Sequence, residues 1–155
     1  MNWQSFINNL ESDDLQSTFR FNLGATDSQL KELQYCFQLN ELPQELVELY
    51  KHANGIEEYL DDNKIGELIW PIERVIEKNK EFRTYPDFKD LYMSFDQLLF
   101  VADAGNGDLF GYTTLNGNFD RDDIFVWNHE NDSRVWVAHS LVKFVEGWPN
   151  GTIKI

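Results

Sequence analysis

Residues 98–138 read LLFVADAGNGDLFGYTTLNGNFDRDDIFVWNHENDSRVWVA, and the exchange of apolar runs with turn residues along this stretch decides the fold. Leu98-Leu99-Phe100-Val101-Ala102 is apolar throughout and too short for an average helix, which makes it a buried strand. Gly105-Asn106-Gly107-Asp108 is a turn, and Leu109–Thr113 returns as its hairpin partner. Asn116-Gly117 reverses the chain again. Ile124-Phe125-Val126-Trp127 is a further strand, and Val135-Trp136-Val137-Ala138 follows the turn-rich segment 128–133. Connections this short imply antiparallel pairing, because parallel strands need a crossover of about a dozen residues or more.

Upstream the apolar period is helical. Trp3, Phe6, Ile7 and Leu10 share one face of a short amphipathic helix. Gly24-Ala25-Thr26 introduces a second, with Thr26 and Gln29 spaced as a capping box. Leu30, Leu33 and Phe37 form its buried stripe, with Cys36 alongside. Pro43 suits the first position of a third helix, where a missing N–H costs nothing. Leu46, Val47, Leu49, Tyr50 and Ala53 face the core there, and Asn54-Gly55 is expected to end it. An acidic loop is expected next, then a short strand Leu68-Ile69-Trp70 that stops at Pro71. Ile72, Val75 and Ile76 belong to a helix whose other face carries Glu73, Arg74, Glu77 and Lys78. After the strands, Ser140 caps a last helix bearing Leu141, Val142, Phe144, Val145 and Trp148. Helices, a strand meander and a closing helix make an α+β fold, one domain over 1–155 with an antiparallel sheet packed by helices. Trp70 and Trp127 flank apolar runs and are assigned to the core.

The chain of 155 residues is 42% hydrophobic and 15% aromatic, enough to close such a core. Its single cysteine, Cys36, forms no intrachain disulfide and fits a reducing compartment. The first residues lack a basic region followed by an apolar run, and no stretch has the length to span a bilayer, so a cytoplasmic location is expected. Thirteen basic against 27 acidic residues leave a net charge of −14. That balance weighs against nucleic acid and anionic membranes as partners, since both require a basic surface. Residues 71–92 balance their own charges, so the rest of the chain carries the excess and can steer a basic partner at long range.

Motifs for chemistry fail on inspection. A calcium loop starting at Asp103 needs an acid where Thr114 stands, and one starting at Asp61 meets Ile72 instead. Gly105, Gly107 and Gly111 lie between two strands, so they offer no helix N-terminus to a phosphate. His129, Glu130 and His139 depart from the two-histidine zinc motif, because Ser133 takes the place of the second histidine. Cys36 beside an apolar stripe behaves as a small hydrophobe. No catalytic residue, cofactor site or metal site is therefore expected. Asp103, Asp108, His129 and Glu130 are the one group that an enzyme reading would use.

The joints of the chain carry a likeness. Gly24-Ala25-Thr26, Leu42-Pro43, Asn54-Gly55, Trp70 with a helix over 72–79, the strand and turn over 100–108 followed by Phe110-Gly111-Tyr112, Trp127-Asn128-His129-Glu130, and Ser140-Leu141 with Phe144 occur in an order that resembles the SUKH superfamily over roughly 24–148. That superfamily includes fungal cell-wall regulators and bacterial immunity proteins. One position departs from it, a Leu-Glu pair that is Leu33-Gln34 here. The resemblance implies an α+β fold and the neutralising of a toxin domain, often a nuclease, inside the producing cell. The expected partner is a basic protein, with contacts from Glu57, Glu58, Asp61, Asp62, Asp120, Asp122, Asp123, Glu130 and Asp132. The alternative it implies is a general intracellular scaffold or regulator.

Overall fold

The computed structural model describes residues 2–10 and 17–155. Its elements run α1 (Trp3–Asn8), β1 (Ser17–Phe21), α2 (Asp27–Cys36), α3 (Gln44–His52), β2 (Ile56–Leu60), β3 (Asn63–Ile69) and α4 (Ile72–Thr84). Then come α5 (Phe88–Leu91), β4 (Leu98–Asp103), β5 (Leu109–Thr113), β6 (Ile124–Trp127), β7 (Arg134–Ala138) and α6 (Leu141–Gly147). Strands β1-β2-β3 form one antiparallel sheet and β4-β5-β6-β7 another, each a meander in chain order. The Trp70 N–H donates to Val101 O at 2.9 Å, so the second sheet begins where the first ends.

The α+β expectation holds, and the second meander follows the apolar pattern that announced it. The first half differs in two places. Glu57 and Glu58 do not sit in a loop but on β2, which pairs with β1 and β3. This hairpin turns at Asp61, whose φ of +54° lies in the left-handed region that Asp tolerates. After the buried Ile56, β2 is half exposed on both faces and carries no alternating pattern, while β1 alternates over only five residues, Ser17–Phe21, and was not anticipated. Asn54 does not close α3, which stops at His52. Its Oδ1 accepts from the Ile72 N–H at 2.9 Å and caps α4, because Pro71 has no side chain able to do so. Pro43 stands just before α3 rather than within it.

The core gathers the apolar faces of α1 to α4 and α6 against the sheets. Phe82 of α4 lies 5.0 to 5.6 Å from the rings of Phe88, Phe95, Phe100 and Trp127, mostly edge to face. Trp70 and Trp127 are both buried there, as expected. The outer edge of β4 is closed by side chains. Arg83 donates to Leu98 O at 2.7 Å. Asn79, buried one turn earlier on α4, accepts from Phe100 N–H and donates to Phe100 O, both at 2.8 Å. Gly111 lets β5 approach this strand, since a Cβ there would stand 2.2 Å from Leu99 O.

Candidate partner-binding surface

The strand order separates the nine acids singled out from the sequence into two groups. Glu57, Glu58, Asp61 and Asp62 lie on the β2–β3 hairpin of the first sheet, and Asp120, Asp122, Asp123, Glu130 and Asp132 lie around β6 and β7 of the second. In the first group, Glu57 accepts from the Tyr59 hydroxyl at 2.7 Å and pairs with Lys64 at 3.4 Å. The Tyr59 hydrogen bond, helped by Lys64, holds its carboxyl below the ordinary range. Glu58 is half buried, Asp62 pairs with Arg20 at 3.1 Å, and Asp61 is exposed with no ion pair among the described residues.

The second group flanks the β6–β7 hairpin. Asp123 is taken up by Arg121. Asp132 accepts from Met93 N–H at 2.9 Å, Trp127 Nε1–H at 2.7 Å and Arg134 at 3.2 Å. Burial alone would raise its carboxyl, but those bonds outweigh burial and lower it. Asp132 thus braces the hairpin, whereas Asp123 is held by its neighbour Arg121 in the approach to β6. Asp120, Asp122 and Glu130 are exposed and have no ion pair among the described residues. Asp122 also acts on Glu45 of α3, whose carboxyl is raised first by burial and further by Asp122 and Glu48.

Of the group an enzyme would use, only two members meet. His129 Nδ1 lies 2.6 Å from Asp108 Oδ1, and the His129 N–H donates to the same oxygen at 3.1 Å. Burial pushes the Asp108 carboxyl up, yet the bonds from His129 and Asn106 together hold it below its usual value. Asp103 accepts instead from Trp70 Nε1–H at 2.8 Å and Gly105 N–H at 3.0 Å. Glu130 stays in solvent. Among the described residues no hydroxyl or thiol hydrogen-bonds to His129 Nε2. Nor do His, Cys, Asp and Glu gather in a group able to hold a metal among those residues. What this arrangement does is tie the β4–β5 turn to the β6–β7 hairpin.

The motifs behind the resemblance also converge, and on structure. Gln29 completes the Thr26 capping box and donates to Glu73 at 2.6 Å, while Asn54 donates to the same carboxylate at 3.2 Å. The Ala25 N–H donates to Tyr50 O at 2.7 Å, and the Tyr50 hydroxyl donates to Trp70 O at 2.7 Å. The chain segments that meet here, around 24–29, 50–55 and 70–73, are three of the recurring joints. The family model of the SMI1 / KNR4 family (SUKH-1) matches residues 24–147. The chain belongs to that family. No curated protein matches it. In this SUKH-1 chain, Gln34 at the departing position donates to Asn40 O at 2.8 Å and closes the loop after α2.

Two features of the structure had no signal in the sequence. Asn79 carried no signal beyond its place in a charged helix. Val135 and Trp136 were read as a strand, but they are exposed on β7, the outermost strand of its sheet. Nothing local in a strand reports which strands will flank it.

Proposed function

We propose that this SUKH-1 protein is an immunity protein that binds a toxin domain without covalent chemistry and blocks it inside the producing cell. Membership of the family supports the class. The observation that carries the reading is a set of exposed carboxylates with no cationic partner among the described residues, Asp61, Asp120, Asp122 and Glu130, on a chain of net charge −14. A nuclease grips phosphate with a basic surface, and an acidic binder competes for that surface.

The test is co-expression with each open reading frame adjacent to its gene, scored by rescue from toxicity and by co-purification. Rescue together with a stable complex is expected. A chain that leaves the toxin active while retaining an unrelated cellular partner would instead be a general interaction protein of the superfamily.

A further inference from the structure

We infer that the outer edge of β7 is the docking edge, and that the bound partner lays an extended basic segment along it with Val135 and Trp136 as apolar anchors. This rests on the partner-binding reading above and adds where and how the partner is held.

The two edges of the four-stranded sheet are treated differently. On β4, Arg83, Asn79 and the Trp70 amide occupy the outward groups of Leu98, Phe100 and Val101. On β7, among the described residues, no group from outside its own sheet bonds to the backbone of Arg134–Ala138. The hairpin closes through Asn128 N–H to Ser133 O. With Arg134 opposite Trp127 and Trp136 opposite Phe125, alternation of bonded and unbonded pairs turns the Arg134 and Trp136 amides outward.

Open edges are ordinarily guarded by lysine, proline or a very short strand. Here the middle of the edge is Val135 and Trp136, 53% and 42% exposed. Adjacent strand residues point to opposite faces, so a strand laid beside β7 meets an apolar side chain above and below. Tryptophan is also the residue type that most often dominates binding energy at interfaces.

Charge selects the occupant. Arg134 is consumed by Asp132, Met93 O and Ser94 O, and Arg121 by Asp123. That leaves Glu130 at the hairpin end of β7, and Asp120 and Asp122 beside its other end, where Ile124 pairs with Ala138. An antiparallel second copy would set these acids against each other, with −14 on each chain. An incoming strand with Lys or Arg at its ends meets the complementary pattern, while main-chain bonds supply affinity.

The experiment maps amide hydrogen exchange in the purified complex with the cognate toxin domain and measures on- and off-rates for Trp136→Ala. Protection is expected along 134–138, centred on the outward amides. Trp136→Ala, which also loses the edge-on contact with His139 at 4.7 Å, should stay folded with a lowered melting temperature and weaken binding roughly tenfold or more, chiefly through faster dissociation. Protection confined to the β2–β3 hairpin, or wild-type kinetics for Trp136→Ala, would overturn the β7 assignment while leaving toxin binding itself intact. A dimer that forms without toxin and is abolished by Trp136→Ala would overturn it in favour of self-pairing.

Discussion

Asn79 holds the least replaceable polar side chain in the core. It supplies both hydrogen bonds that Phe100 lacks on the outer side of β4, and it also donates to Val75 O at 2.7 Å. Asn79→Leu keeps the volume but leaves a buried N–H and C=O unpaired, so a loss of about 2–4 kcal/mol is expected in urea unfolding. The Asp108–His129 contact sets a pH dependence. The native Asp108 carboxyl titrates below its unfolded value of about 4, so its stabilisation is complete above that pH and fades as pH falls through the native value. Asp108→Asn should therefore cost most near neutrality, and its deficit against wild type should shrink below roughly pH 4. Thermal melts from pH 7 to pH 3 read this directly. Gly107 is bound to the same contact. Its φ is +104°, and a Cβ would stand 3.0 Å from the His129 ring. Gly107→Ala is expected to destabilise by about 1–2 kcal/mol.

At the scale of elements, α2 and α4 begin in one polar network and depend on each other. Thr26 and Gln29 satisfy each other's backbone amides, and Gln29 reaches Glu73 in the first turn of α4. Asn54 bonds both the Ile72 amide and Glu73. Thr26→Ala removes one cap and should cost about 1 kcal/mol. For a chain of this size that is a fall of roughly 2–4 °C in melting temperature, checked by calorimetry. Asn54→Ala should cost at least as much, because the Ile72 amide has no other side-chain partner at a proline start. The joints that carry the family likeness are used up in contacts of this kind. They report how the chain folds, whereas the exposed Asp61, Asp120 and Asp122, and β7, stand apart from them.

For the whole molecule, the question is whether the charge excess acts on a partner. Exposed carboxylates are screened beyond about 8 Å at physiological ionic strength, so association with a basic toxin should slow as salt rises. The acids fall in two separated groups, which allows a sharper comparison. Reversing Asp120, Asp122 and Glu130 to Lys should lower the on-rate more than reversing Asp61 and Asp62, if β7 receives the partner. Stopped-flow association across a salt series measures both. An on-rate indifferent to salt and to either reversal would confine the charge to solubility.

The amino-acid sequence by itself determined the second meander, the capping of α2 and α6, and the burial of Trp70 and Trp127. Those features rest on local pattern: continuous apolar runs, turn residues between them, and side chains that bond a few positions away. It also determined the large acidic excess, which is a property of composition. The tertiary structure alone decided the rest. β2 exists because it pairs with β1 on one side and β3 on the other, and its half-exposed faces hide that pairing from a local reading, while the alternation of β1 is only five residues long. Asn54 caps a helix that begins 18 residues later, a contact no local spacing describes. Asp123 and Asp132 look as free as Asp120 and Asp122 along the chain, yet the first two are spent on Arg121 and Arg134. Val135 and Trp136 read as strand from their apolar run, which does not by itself say how exposed they are. They are exposed because no strand follows β7 in the sheet, and where a sheet ends is settled by the packing of the whole chain.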